Sequence, residues 1–251
     1  MCNTVLLDDE RLDKVNENIT LIQKKNGLTF GTDAFLLASF IKSTPSKIGV
    51  ELGSGTGIIS LLLAERNKLK RIYAVEIQKD FAELTERNAK ANALDVKIIT
   101  VNADVTKIKA DVTQGEVDVV FTNPPYMKTT SGKRNESDAK YIARHEVCGD
   151  INDFCKAGFR LLKHGGRFYA VWRPDRLCDL LYAMRVNRLE PKNITFVHAD
   201  KSSEPSMVLV SAIKGGASGA VVTPPLFLYA DESHKNESDE AKHIYDTLSF
   251  E

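Results

Sequence analysis

Between residue 46 and about residue 213, short β-branched runs alternate with longer amphipathic stretches, and this alternation restricts the fold more than any other feature of the chain. Residues 48–52 read as a strand. Residues 57–66 read as a helix with Ile58, Ile59, Leu61, Leu62 and Leu63 apolar. A second strand over 71–77 precedes a helix over 79–92, where Phe81, Leu84, Asn88 and Ala91 recur at spacings of three and four. Strands follow at 96–101 and 117–122, the latter nearly all apolar, as a strand covered on both faces should be. A helix over 150–163 closing at Gly165-Gly166, a strand over 166–172, a helix over 174–186 and closing strands at 194–197 and 207–213 complete the series. The pattern predicts an α/β sandwich with a mainly parallel sheet.

Three stretches fall outside it. Residues 1–45 form a mixed leader, or cap, ending in an apolar helix over 33–41. Residues 127–149 are polar and charged, too long for an ordinary connection, which marks them as a functional loop. Residues 214–251 open with a Gly/Ser-rich linker and end in an acidic tail with one helix expected over 237–248. The resulting division is leader 1–45, main domain 46–213, linker and tail 214–251.

Lysine plus arginine (34) equals aspartate plus glutamate (34), so overall charge selects neither a nucleic acid nor an anionic membrane as partner. The balance hides an asymmetry: residues 231–251 carry seven acidic side chains against Lys235 and Lys242, leaving a mildly basic body in front of them. The four cysteines form no C-x-x-C pair and have no histidine at zinc-ligand spacing, so no metal is expected and the thiols read as reduced in a cytoplasmic protein. The start of the chain lacks a basic segment and an apolar core, and the longest apolar run, 58–64, is interrupted by Ser60 and far too short for a bilayer. Secretion and membrane insertion are not expected.

The chemistry concentrates at strand ends. Glu51-Leu52-Gly53-Ser54-Gly55-Thr56-Gly57 joins the first strand to the first helix, where glycines permit a sharp turn and close approach of a ligand to free helix N–H groups. The dinucleotide fingerprint would want glycine where Ile58 stands, and the phosphate-loop Gly-Lys-Ser/Thr is absent. The G-x-G-x-G form with an acid two residues ahead resembles motif I of class I S-adenosylmethionine-dependent methyltransferases. That resemblance implies a Rossmann-like fold with a mainly parallel seven-stranded sheet. It also implies S-adenosylmethionine as cofactor, a sulfonium without phosphate that suits an acidic Glu51. Glu76, ending the second strand and followed by Ile77, stands where a carboxylate accepts ribose hydroxyls. Asp104, after Ala103, matches the family position that contacts the adenine amino group.

Asn123-Pro124-Pro125-Tyr126 follows the fourth strand, at the carboxyl edge where α/β folds bind ligands. A proline-stiffened turn would account for it alone; behind a methyltransferase loop it resembles motif IV of enzymes that methylate planar amino groups. Such a nitrogen is a poor nucleophile because its lone pair is delocalised. Two acceptors, the Asn123 side-chain oxygen and the Pro124 carbonyl, can hold its two hydrogens and aim the lone pair at the methyl group. Tyr126 offers a stacking face, worth roughly 1–3 kcal/mol per base.

Outside these motifs, Glu10-Arg11-Leu12-Asp13, Ile22-Gln23 and Phe30-Gly31-Thr32-Asp33-Ala34-Phe35-Leu36-Leu37 resemble the start of the family that methylates adenine N6 beside the anticodon of tRNA(Val). The resemblance, covering residues 10 to about 213, implies a tRNA substrate and places Thr32 and Asp33 near the cofactor pocket; either could equally serve as a helix N-cap. Lys128, Lys133, Arg134 and Arg144, beside Tyr126, are the candidate phosphate contacts. An unpaired anticodon-loop adenine costs less to position than one flipped from a duplex. The alternatives are a glutamine N5-methyltransferase of release-factor type, which usually carries a longer helical N-terminal domain, an rRNA guanine N2-methyltransferase, and a non-catalytic scaffold, against which the intact motifs speak.

Overall fold

The computed structural model describes residues 6–25, 30–124 and 149–250. Its centre is one twisted sheet in which β3 (Thr44–Leu52), β4 (Leu69–Glu76), β5 (Ile98–Asn102), β6 (Val117–Thr122), β7 (Leu162–Trp172), β8 (Leu189–His198) and β9 (Pro205–Lys214) lie in the order β8-β9-β7-β6-β3-β4-β5. Every neighbouring pair from β7 to β5 is parallel, whereas β9 runs antiparallel to both β7 and β8. This is the expected seven-stranded sheet. Two two-residue strands, β10 (Val221–Val222) and β11 (Leu226–Phe227), extend it by pairing with β8.

Helices cover both faces. One face packs α1 (Thr32–Phe40) and α2 (Ile58–Glu65) over β3, β4 and β7, around Leu36, Leu37, Leu61, Leu63, Phe121 and Val171. The other packs α4 (Ile151–Leu161) and α5 (Leu177–Val186) around Phe154, Phe168, Trp172 and Leu180. α3 (Lys79–Ala91) lies beside β4 and β5. The whole apolar run 58–64 is buried in α2, which explains why that helix reads as apolar on all sides.

Two local expectations change. The leader contains a hairpin, β1 (Glu10–Lys14) with β2 (Thr20–Lys24), paired antiparallel from Glu10–Lys24 to Lys14–Thr20. Gly165 and Gly166 do not cap α4, which passes straight into β7 at Leu162; they sit within that strand where its register against β6 shifts. Gly166 fits there because a Cβ would lie 2.9 Å from the Lys163 carbonyl and 3.1 Å from that of Asp118.

The acidic tail docks on the body. α6 (Asp239–Thr247) opens on Ser238, whose hydroxyl accepts the Ala241 N–H at 2.9 Å. Leu226, Ile244 and Leu248 are buried against the same core as α1, and Ala241 is buried as well. The buried ammonium of Lys68 donates to the carbonyls of Ala38 (2.8 Å), Ser39 (3.1 Å) and Leu248 (2.9 Å). It thereby joins the C-terminal ends of α1 and α6, where exposed carbonyls favour a cation.

Candidate active site

Strand register assembles the site. Leu52 pairs with Val75 on one side and Thr122 on the other, and Glu76 pairs with Asn102. Gly53, Glu76, Ala103, Asp104 and Asn123 therefore leave the sheet along one carboxyl edge. The glycine loop is folded back onto β4: the N–H groups of Gly53 and Ser54 both donate to the Val75 carbonyl, at 2.9 and 3.0 Å.

All three loop glycines take left-handed backbone, Gly53 at φ of 73°. Gly57 has φ of 80°, and a Cβ there would meet Thr85 Cγ2 at 2.7 Å, so only glycine lets α3 close on the loop. Gly55 has φ of 55°, yet a Cβ would meet nothing within 4 Å. Its exposed side is the open side of the cradle. The hydroxyl of Thr85 donates to the Gly55 carbonyl at 2.8 Å, and the buried Asn88 side chain donates to that of Thr56 at 2.9 Å.

Asn88 does more than steady the loop. Its Oδ1 accepts the Ile22 N–H at 2.7 Å and its Nδ2 donates to the Ile22 carbonyl at 3.1 Å. One turn on, Asn92 repeats the exchange with Thr20, at 2.9 and 2.8 Å. Two asparagines four residues apart thus present to β2 the donors and acceptors a neighbouring strand would present. Arg87 completes the fastening with a bidentate pair to Glu10, at 2.7 and 2.8 Å, which holds that carboxyl down at about 2.

The acids are differentiated by their surroundings. Glu51 is buried, and burial pushes its carboxyl up to about 8, against the stabilising bonds from Ser60 and with a further upward push from Glu76. Its Oε2 accepts both the Ser60 N–H (3.1 Å) and the Ser60 hydroxyl, which is why a serine interrupts the apolar face of α2. Glu76 is raised by burial too, while its oxygens accept the N–H groups of Gly55 (3.0 Å) and Gln78 (2.9 Å). Asp104 feels an upward pull from burial, but its bonds from the Thr106 N–H and hydroxyl, with Lys107 beside it, outweigh that and lower it.

Thr32 and Asp33 begin α1, but neither caps it. Gly31 is the N-cap, without a side-chain bond. Thr32 instead hydrogen-bonds Tyr245 of α6. Asp33 reaches across to the end of β6, where its Oδ2 accepts the Asn123 Nδ2–H at 2.8 Å. Pro124 is buried beside it. Tyr126, Lys128, Lys133, Arg134 and Arg144 lie outside the described residues. The residues that spacing did not single out for the site are Ser54, Ser60, Thr85 and Asn88. Asn88 and Ser60 each left a signal, a polar residue on the apolar side of its helix.

The cradle suits a cation-bearing, phosphate-free cofactor. Carboxylates line it, a glycine opens it, and the Ser54 hydroxyl is buried with no partner among the described residues. Among the described residues no cluster of three or more His, Cys, Asp or Glu side chains could hold a metal ion, and no helix is long and apolar enough to cross a membrane.

Comparison with known proteins places this geometry. Residues 24–180 match the family model of the methyltransferase small domain. A tRNA1(Val) (adenine(37)-N6)-methyltransferase of Porphyromonas gingivalis is 28% identical over 185 residues, 71% of this chain and 72% of that protein. The enzyme of the same name from Phocaeicola vulgatus is 28% identical over 195 residues, 78% and 81% of the two chains. Among solved structures, a predicted O-methyltransferase of Agrobacterium tumefaciens superposes with a TM-score of 0.70 at 22% identity, covering 87% of this chain and 97% of that one. The M. jannaschii TYW2 structure in complex with AdoMet superposes at 0.54 with 17% identity, covering 81% and 85%. At these identities the structural likenesses establish the fold.

Proposed function

The chain belongs to the methyltransferase small-domain family and is an S-adenosylmethionine-dependent methyltransferase; from that premise we propose that its acceptor is the exocyclic N6 of an adenine in a tRNA anticodon loop. The observation that carries the proposal is the position of Asn123 and Pro124, leaving β6 beside the glycine loop with the Asn123 amide anchored. The names of the relatives from P. gingivalis and P. vulgatus support the choice of adenine N6 in tRNA.

The cofactor supplies a methyl group on a positively charged sulfur. Gly53, Gly55 and Gly57, with the N–H groups of the loop, would cradle its methionine part, Thr32 would border that cradle, and Glu51, ionised as the cation arrives, would provide negative charge beneath it. Glu76 would accept the ribose hydroxyls with the lone pairs that its bonds from the Gly55, Ile77 and Gln78 N–H groups leave. Ile77, Ala103 and Asp104 would flank the adenine of the cofactor. At the acceptor side the Asn123 side-chain oxygen and the Pro124 carbonyl take the two hydrogens of the target amine and turn its lone pair toward the methyl carbon. Fixing two reactants in line can contribute up to about 7–11 kcal/mol. Tyr126 gives the base a face to stack on, and Lys128, Lys133, Arg134 and Arg144 serve the phosphates.

Radiolabelled S-adenosylmethionine, offered with unmodified tRNA and separately with release factors, tests this. Label in RNA is expected; label in protein alone overturns the RNA acceptor and selects glutamine. The Asn123→Ala variant should lose turnover while holding cofactor affinity within a few-fold, and near-normal turnover would refute the acceptor pair.

A further inference from the structure

We propose that Asp33 is a positioning residue: its carboxylate selects the one orientation of the Asn123 amide that turns the carbonyl oxygen toward the target nitrogen. This rests on the reading of Asn123 as the acceptor of the amine hydrogens. The two ends of a primary amide are nearly equal in shape and opposite in hydrogen bonding. Rotated by half a turn, Asn123 would aim N–H groups at an N–H group, and the target amine would face a donor instead of an acceptor.

Something must choose between the orientations, and the contact with Asp33 is suited to it. A carboxylate accepts and does not donate, so the atom at 2.8 Å from Asp33 Oδ2 has to be Nδ2. The oxygen is then the end directed away from Asp33. The same bond polarises the amide and makes its oxygen a stronger acceptor, because hydrogen bonds in series reinforce one another.

Asp33 is itself rigidly placed. Its other oxygen accepts the Ala34 N–H at 2.9 Å, in the first turn of α1 where free N–H groups favour negative charge. The helix behind it is locked, with Leu36, Leu37 and Ala38 fully buried and the Lys68 ammonium on its last carbonyls. The device reaches Asn123 from a residue 90 positions earlier.

The test compares wild type with Asp33→Ala, Asp33→Asn, Asp33→Glu and Asn123→Ala. Asp33→Ala and Asp33→Asn should lower kcat for methyl transfer to unmodified tRNA by about 10- to 100-fold, the scale of a charge-assisted hydrogen bond. Cofactor affinity should stay within about two-fold, and Asp33→Glu should recover part of the rate. A readout independent of turnover is the side-chain NH2 resonance of Asn123, assigned by its disappearance in Asn123→Ala. Its hydrogen-bonded proton should be shifted and slow to exchange in wild type, and should lose both properties in Asp33→Ala. Turnover persisting in Asn123→Ala overturns the acceptor reading itself. An inactive Asn123→Ala alongside wild-type kcat in Asp33→Ala, or an Asn123 resonance indifferent to Asp33, overturns only the positioning role. A rate loss that tracks weakened cofactor binding or a lowered Tm would show Asp33 to be a structural support and refute it equally.

Discussion

Replacing Asn88 by alanine tests how the leader is fastened to the glycine loop. The side chain is fully buried and makes three bonds, to the Ile22 N–H, the Ile22 carbonyl and the Thr56 carbonyl. Alanine leaves all three groups without that partner. A buried N–H with no replacement costs about 1–3 kcal/mol, and each carbonyl, which retains a second lone pair, sits at the low end of that range. The neighbouring pairs from Asn92 to Thr20 and from Arg87 to Glu10 remain and limit local collapse. The sum is on the order of 3–5 kcal/mol, a large share of the roughly 5–15 kcal/mol by which a domain is stable. Urea unfolding reads the loss directly, and at this size the shift in Tm is roughly 10 °C. Hydrogen exchange locates it: Ile22 should lose protection, while amides of β3 and β6 should follow only the global change. Because Thr56 lies between Gly55 and Gly57, cofactor affinity should fall as well. A loss below about 1 kcal/mol with Ile22 still protected would refute the view that Asn88 stands in for a neighbouring strand.

Two of the loop glycines should fail differently: Gly57→Ala, forced against Thr85, lowers stability first, whereas Gly55→Ala, with open space around its Cβ, weakens cofactor binding more than it lowers Tm, as calorimetry and thermal melts would show. Glu51, raised to about 8 from 4.5, should make cofactor binding release protons near pH 7, because a cationic ligand favours the ionised form; titration in buffers of different ionisation enthalpy measures this, and zero release contradicts it. The same shift has a stability consequence: charge on Glu51 disfavours the folded state, so the contribution of its neutral form is full below pH 4.5 and is lost as pH rises through 8. Lys68→Met should free α6, since three carbonyls lose their cation, and limited proteolysis should then cleave before residue 239 ahead of the body; an equally resistant tail would contradict the role of that ammonium.

Periodicity made the sheet and its helices readable because each is patterned by burial on both sides of one layer, and the glycine loop and Asn123-Pro124 stood out because their backbone chemistry is local. The hairpin was not readable. Glu10-Arg11-Leu12-Asp13-Lys14 is mostly charged, and its partners, Asn88, Asn92 and Arg87, look like the polar face of a helix until the strand is laid beside them. The tail misleads by composition: its acids are solvated, while Ala241, Ile244 and Leu248, three and four apart, carry the packing. Gly165-Gly166 reads as a helix stop, yet the helix ends four residues earlier; Gly166 serves close strand contact and Gly165 takes left-handed backbone at φ of 77°. The pairing of Asp33 with Asn123 leaves no trace in spacing at all, because it depends on how α1 seats beside β6.

Unmodified tRNA is incubated with the protein and S-adenosylmethionine carrying a deuterated methyl group, then digested and its nucleosides resolved by mass spectrometry. Deuterated N6-methyladenosine, absent when Asn123 is alanine, is the predicted product. Heavy methyl on another nucleoside, on a ring nitrogen of adenine, or undiminished in the Asn123 variant would contradict it.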